Sequence, residues 1–353
     1  MKRTLLLIVL SLAFVGLASC ESKPRLKLYM PGEYIDSGLI EAFEDEYDVK
    51  VDLITFDSNE SAIPQIQANS YDVIIPSDYA IEELVAKDLL FELDMDRLTS
   101  ITHDDYAPGL VGILDDLKNA QGGFDLLAYG VPYFWGNVGI LYDTTVEGLT
   151  TLIETEGWSA LADPAYEVMF YDSSRDSFMI ALKVLGASMN TPTPEQLSDA
   201  ETWLTDVAGN DGVQFLTDEV LDNMLDPARH DMAVVYSGDA VYLMYENDKL
   251  GYVVPEEGTN VWVDAMVIPK NAENVDLAYD FINFMTTYDA MLANTYEVAY
   301  TSPRQDVIDE IVTSEEYDVD SYVITVGEND EVFRYNAQFK QMLEEAWARV
   351  RSS

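Results

Sequence analysis

The chain has 353 residues, enough for two domains that each bury their own core. It carries 65 Asp and Glu against 19 Lys and Arg, a net charge of −46, which argues against nucleic-acid partners and against docking on anionic lipid through a basic patch. Hydrophobic content of 48% with 11% aromatics excludes a disordered acidic chain, and the single cysteine excludes an internal disulfide.

The N-terminus reads as a targeting segment. Met1-Lys2-Arg3 is a short basic region, and Thr4 to Gly16 is an apolar run too short to span a bilayer comfortably. Leu17-Ala18-Ser19-Cys20 follows in the order of a bacterial lipobox. Residues 1–19 are therefore expected to be a lipoprotein signal peptide, with Cys20 lipidated as the new N-terminus. An ordinary secretory signal or an uncleaved anchor is the alternative. Residues 20–25 form a polar tether.

Leu26–Met30 alternates as a strand does, and Asp36 and Ser37 can cap a helix through Leu39, Ile40 and Phe43. Val49–Phe56 reads as a strand. Ser61–Ala68 reads as a helix that Pro64 confines to a first-turn start or a kink. Tyr71–Pro76 is a nearly continuous apolar strand, and a helix over Ile81–Lys87 follows it. This alternation predicts an α/β lobe with a mainly parallel sheet. Val131–Tyr142 is a long strand-like run interrupted by Trp135-Gly136-Asn137, as if bent in crossing between two bodies. Strands over Glu167–Tyr171, Asp231–Tyr236, Gly251–Val254 and Val261–Ile268 follow, with a helix over Ser177–Leu185 after the first. Leu277–Leu292 reads as one amphipathic helix and Asn336–Val350 as the last. No Pro/Gly/Ser linker separates the halves, so crossing strands are expected to join them.

Enzyme motifs are missing: no Walker loop, HExxH, GxSxG or dinucleotide glycine fingerprint occurs. His103 and His230 lack metal-ligand spacing. The informative residues are aromatics and carboxylates at strand ends. In Val261–Met266, period two puts Trp262, Asp264 and Met266 on one face. A carboxylate there requires solvent or a cationic partner. Tyr34 follows the first strand, and Ser77 and Tyr79 follow the strand ending at Pro76. Ligands of open α/β sheets bind beyond such strand ends. A packed tyrosine and a capping serine are the plain alternatives. Asp172-Ser173-Ser174-Arg175-Asp176 reads as an imperfect capping box. Tyr236-Ser237-Gly238-Asp239 ends another strand, and Tyr300 precedes Thr301-Ser302-Pro303.

Taken in order, Gly32–Ile35, Tyr71–Ser77, Val131–Gly136, Asp172–Asp176, Tyr236–Asp239, Trp262–Asp264 and Phe281–Phe284 resemble the spermidine/putrescine-binding proteins of ABC importers. The resemblance implies a two-lobed α/β periplasmic-binding-protein fold of type II, with the ligand cleft between the lobes. It implies lobe 1 over 26–136 and 263–308, and lobe 2 over 137–262 and 309–353, with crossings near Trp135-Gly136, near Trp262 and after Tyr300. It also implies a monomer with no catalytic residue, cofactor or metal. The chain would face outside the cytoplasm, held by lipid on Cys20, and would deliver a polyamine to a membrane permease.

Polyamine capture requires carboxylates for the ammonium groups and aromatic faces for the methylenes. By resemblance Asp264 takes the central amine, with Trp262 and Tyr236 as walls. Asp176 takes a terminal ammonium, Tyr34, Ser77, Tyr79 and Tyr300 line the first-lobe side, and Asp239 is a further carboxylate. The chain departs from the family at Met30-Pro31, where Asn-Trp is usual, at Ser173, where some members have a carboxylate, and at Arg304, where Asn is common. These departures keep open another small organic solute on the same fold. A different class, an envelope-anchored hydrolase with paired carboxylates, needs two such groups in contrasting environments.

Overall fold

The computed structural model describes residues 23–120, 122–216, 220–225, 227–314 and 317–352, so the expected signal peptide, Cys20 and the start of the tether lie outside the described residues. Strands are numbered β1 to β9 in chain order. β1 (Arg25–Pro31) lies between β2 (Lys50–Phe56) and β3 (Val73–Ile74), parallel to both. Leu26, Leu28 and Met30 are completely buried on it. The connecting helix Ser37–Tyr47 starts where the Asp36 carboxylate accepts from the Gly38 N–H, and stops at Asp48 in the left-handed conformation. Of the expected strand Tyr71–Pro76 only Val73 and Ile74 form the strand itself, because the chain turns at Pro76 into helix Asp78–Ala86.

β9 (Val261–Val267) closes the first sheet by running antiparallel to β3 and to β4 (Gly130–Asp143). β4 is long enough to serve two sheets. Its first part pairs with β9, from Gly130 opposite Val267 to Asn137 opposite Val261. Its second part pairs with β7 (Met232–Tyr236) and β8 (Leu250–Val253). β7 is parallel to β5 (Val168–Tyr171), which is parallel to β6 (Val213–Leu216). Two lobes result, each with its own sheet, and β4 passes between them. The passage needs small residues. A Cβ on Gly136 would lie 2.4 Å from Ser237 Oγ and 2.7 Å from the Trp262 ring.

The chain crosses again where Asn260 leads into β9, while Thr301, near the third expected crossing, bridges to Trp135 of β4. Position 308, expected to end the first lobe, falls inside helix Gln305–Ser314, which packs on helix Tyr288–Val298. The last helix, Ala337–Val350, packs on helices Ser174–Val184 and Pro194–Ala208 of the second lobe.

Two helices depart from expectation. Leu277–Leu292 is not one helix but parts of two, Val275–Met285 and Tyr288–Val298. Thr286 turns its hydroxyl onto the Ile282 carbonyl, and extended Thr287 caps the next helix by accepting from the Ala290 N–H. Pro64 lies inside helix Asn59–Ala68, which Ser58 caps six residues ahead of it, so this helix does without one N–H bond.

Candidate ligand-binding site

The carboxyl ends of β1, β3, β5 and β7 and the middle of β9 meet where the lobes face each other. Alternation on β9 turns Trp262 and Asp264 into that gap, and both are buried. The Tyr34 hydroxyl donates to Asp264 Oδ2 at 2.8 Å. Tyr34 is itself fixed: its carbonyl accepts from the Tyr133 hydroxyl at 2.7 Å, and that hydroxyl accepts from Asn294 Nδ2 at 2.8 Å.

Two more carboxylates come from the second lobe, Asp176 buried and Asp239 half-buried. Asp176 lies in the first turn of helix Ser174–Val184, where Ser173 accepts from its N–H as the expected cap. Its side chain does not complete a capping box. It turns inward and accepts from the Tyr236 hydroxyl at 2.9 Å. Asp239, in the first turn of helix Ser237–Glu246, accepts from Tyr171 at 2.6 Å and from Tyr300 at 2.9 Å.

Rings connect the three acids. Tyr34 meets Tyr300 edge-on at 5.5 Å, Tyr300 meets Trp262 at 5.4 Å, Trp262 meets Tyr236 at 6.0 Å, and Tyr236 stacks on Tyr171 at 5.0 Å. The faces that would cover methylenes and the oxygens that would meet ammonium groups thus alternate along one slot.

Burial raises the pKa of all three acids. Asp264 is pushed from 3.8 to about 6, with the neighbouring Ser77 and Tyr34 side chains drawing it part of the way back. Asp176 and Asp239 are also raised by burial and partly restored by their hydroxyl donors. Asp264 Oδ1 has no hydrogen-bond partner. Among the described residues no salt bridge joins a Lys, Arg or His to Asp176, Asp239 or Asp264. A buried carboxylate with an open lone pair and no cation is a costly arrangement that an incoming amine relieves.

Of the residues named from sequence, Tyr34, Asp176, Tyr236, Asp239, Trp262, Asp264 and Tyr300 share this slot. Ser77 pairs with Asp264 through the backbone, but its hydroxyl accepts from Asn59 Nδ2 at 2.9 Å. Tyr79 stands apart: the Arg175 guanidinium lies over its ring at 3.9 Å, and its hydroxyl donates to Glu60. Arg304 has a structural role, donating to the Ser100 and Thr286 carbonyls and pairing with Asp306. Tyr171, Glu60 and Asp78 escaped the sequence reading. Tyr171 ends β5, so the strand-end argument that found Tyr236 would have found it too. Glu60 lies in a helix first turn, where an acidic residue carries no special signal.

Among the described residues no group of three or more His, Cys, Asp or Glu side chains is arranged to hold a metal ion, and no helix is long and apolar enough to cross a membrane.

Comparison with known proteins matches residues 38–322 to the family model for bacterial extracellular solute-binding proteins. The spermidine/putrescine-binding periplasmic protein of Salmonella typhimurium is 26% identical over 320 residues, 88% of each chain. A putrescine/cadaverine-binding protein of Pseudomonas aeruginosa is 28% identical over 304 residues, covering 81% of this chain and 80% of its own. Among solved structures, the spermidine/putrescine ABC transporter substrate-binding protein of Streptococcus pneumoniae superposes with a TM-score of 0.75 at 29% identity, covering 94% of this chain and 99% of its own.

Proposed function

Because the chain belongs to the bacterial extracellular solute-binding proteins, we propose that it captures polyamines such as spermidine and putrescine outside the cytoplasm and hands them to the permease of an ABC importer. The observation that carries this reading is Asp264, buried in an aromatic slot with one oxygen unpartnered and no cation of the protein's own against it.

In this reading Asp264 neutralises one ammonium group, and Trp262, Tyr236, Tyr300 and Tyr34 cover the intervening methylenes. Asp176 and Asp239 serve a second and a third nitrogen, with tyrosine hydroxyls holding each acid in place until the amine arrives. Cation–π contacts with these rings contribute about 0.5–2 kcal/mol each. Ser77 supports the Asp264 backbone, and Tyr79 packs beneath the Arg175 guanidinium apart from the slot. The first lobe runs over 26–136 and 263–314 and the second over 137–262 and 315–353, the last crossing being set after helix Gln305–Ser314. The chain works as a monomer without chemistry of its own: lobe closure presents a surface to the permease. A lipid on Cys20 holds it at the membrane, and a Cys20→Ser variant released into the medium is the expected sign of that anchor.

Isothermal titration of the mature chain with putrescine, spermidine and spermine tests the assignment. Absence of both heat and thermal shift with all three would sink it.

A further inference from the structure

The antiparallel pairing of β3 with β9 continues beyond β3 in an unusual way. Ile74 lies opposite Val267, and the Ala265 N–H donates to the Pro76 carbonyl at 3.2 Å. Ser77 is bridged to Asp264. At Asp78 the backbone has already turned into helix Asp78–Ala86, so no strand carbonyl is left for the next donor, the Val263 N–H. The Asp78 side chain supplies the acceptor, taking that N–H on Oδ2 at 2.8 Å while Oδ1 accepts from the Tyr79 N–H. Asp78 is 1% exposed. Val263 lies between Trp262 and Asp264, so this bond holds the stretch of β9 that carries both residues.

We propose that Asp78 is a positioning residue of the slot: its carboxyl stands in for a strand carbonyl, holds Trp262 and Asp264 in register, and releases a proton to the bulk when a cation settles against Asp264. The last part of the proposal rests on the polyamine reading; the first does not.

The surroundings explain the proton. Burial is the main cause that pushes Asp78 up to about 8, and Asp264 adds like-charge repulsion. The two backbone N–H groups and Arg175 pull the other way, and Arg334 also faces Asp78. Around Asp264 stand the hydroxyls of Tyr34 from the loop after β1, Tyr133 from β4 and Tyr300, all uncharged at neutral pH because burial holds their protons on. Burial therefore raises the pH at which Asp78 gives up its proton in the empty protein. An ammonium group at Asp264 cancels the repulsion and favours the ionised form, so the proton leaves to buffer.

Two measurements test this. In the ligand-free protein, carboxyl carbon-13 NMR should show Asp78 titrating above neutral pH; an Asp78 already ionised below pH 5 would overturn the proposal whether or not polyamines bind. In calorimetry with putrescine and spermidine at pH 7.5, buffers of different ionisation enthalpy should reveal net proton release from the wild type. Asp78→Asn keeps an acceptor for the Val263 N–H but has no proton to give, so it should bind with that release largely abolished. Asp78→Ala should bind at least about tenfold more weakly than Asp78→Asn, because the ladder bond is gone. Release by Asp78→Asn equal to the wild type, or equal affinities of the Asn and Ala variants, would overturn the proposal. If the wild type binds neither amine, the polyamine reading fails and the NMR titration still decides the state of Asp78.

Discussion

Arg334 grips both oxygens of Glu82, Nε to Oε2 at 3.1 Å and Nη2 to Oε1 at 2.8 Å, and so ties the segment before the last helix to helix Asp78–Ala86 of the opposite lobe. Asn190 holds that segment to the second lobe by accepting from the Arg334 N–H. Lys340 with Glu83 and Arg175 with Glu60 repeat the link at 3.1 and 3.2 Å. Each of these pairs spans the gap between the lobes, so the effect expected of them is on lobe closure.

Arg334→Ala should weaken polyamine affinity by about 1–2 kcal/mol, more than an ordinary surface pair because the contact is bidentate and mostly shielded. Titration calorimetry at low and high salt checks it, and the difference from wild type should shrink as salt rises. Unchanged affinity at low salt would remove the latch from the account.

Asp264→Asn should lower polyamine affinity by about 1–3 kcal/mol or more through loss of a charge-assisted contact. The same change should raise the melting temperature of the empty protein, because a buried charge with an open lone pair disappears. An affinity loss without that gain in stability would mean that the carboxylate already has a partner in solution.

The pH dependence of stability follows from the same acids. Asp264 has a folded pKa of about 6 and Asp78 of about 8, both above the 3.8 of the free side chain. A carboxyl whose folded pKa is raised binds protons more tightly in the native state. Its destabilising effect is absent below about pH 4 and grows as pH rises toward the folded value. Wild-type stability, taken relative to Asp264→Asn, should therefore fall between about pH 4 and 6 and level off above. Relative to Asp78→Asn it should keep falling to about pH 8. Urea unfolding across that range checks both curves; a stability difference that rises with pH would contradict the burial argument.

Gly238 lies under the Tyr300 ring, and a Cβ there would come within 2.2 Å of the ring's Cγ. Gly238→Ala should displace Tyr300 from Asp239 and cost about 1–3 kcal/mol in stability through overpacking. Ligand affinity should drop as well. Thermal melts and calorimetry of the one variant report both effects, and wild-type values in both would mean that Tyr300 rests elsewhere in solution.

Much of the fold was legible because the relevant signals are local. The alternation of Leu26, Leu28 and Met30, the Asp36 cap, the apolar run into Pro76 and the long stretch from Val131 all encode their own conformation through periodicity and capping. The single helix expected over 277–292 was misread because Thr286 and Thr287 are ordinary helix residues until their hydroxyls claim backbone partners. Period two likewise placed Trp262 and Asp264 on one face, and strand ends pointed to Tyr34 and Tyr236.

By itself the sequence determined an acidic α/β chain with aromatics and carboxylates waiting at its strand ends, and its resemblance to a known family implied two lobes. Only the tertiary structure decided which hydroxyl holds which acid, that Tyr79 faces Arg175, and that Asp78 extends a sheet from a helix. Those outcomes join residues far apart in the chain, such as Asp78 with Val263 and Tyr34 with Asp264. Local pattern carries no record of such pairs, because burial and charge act on whatever packing brings near.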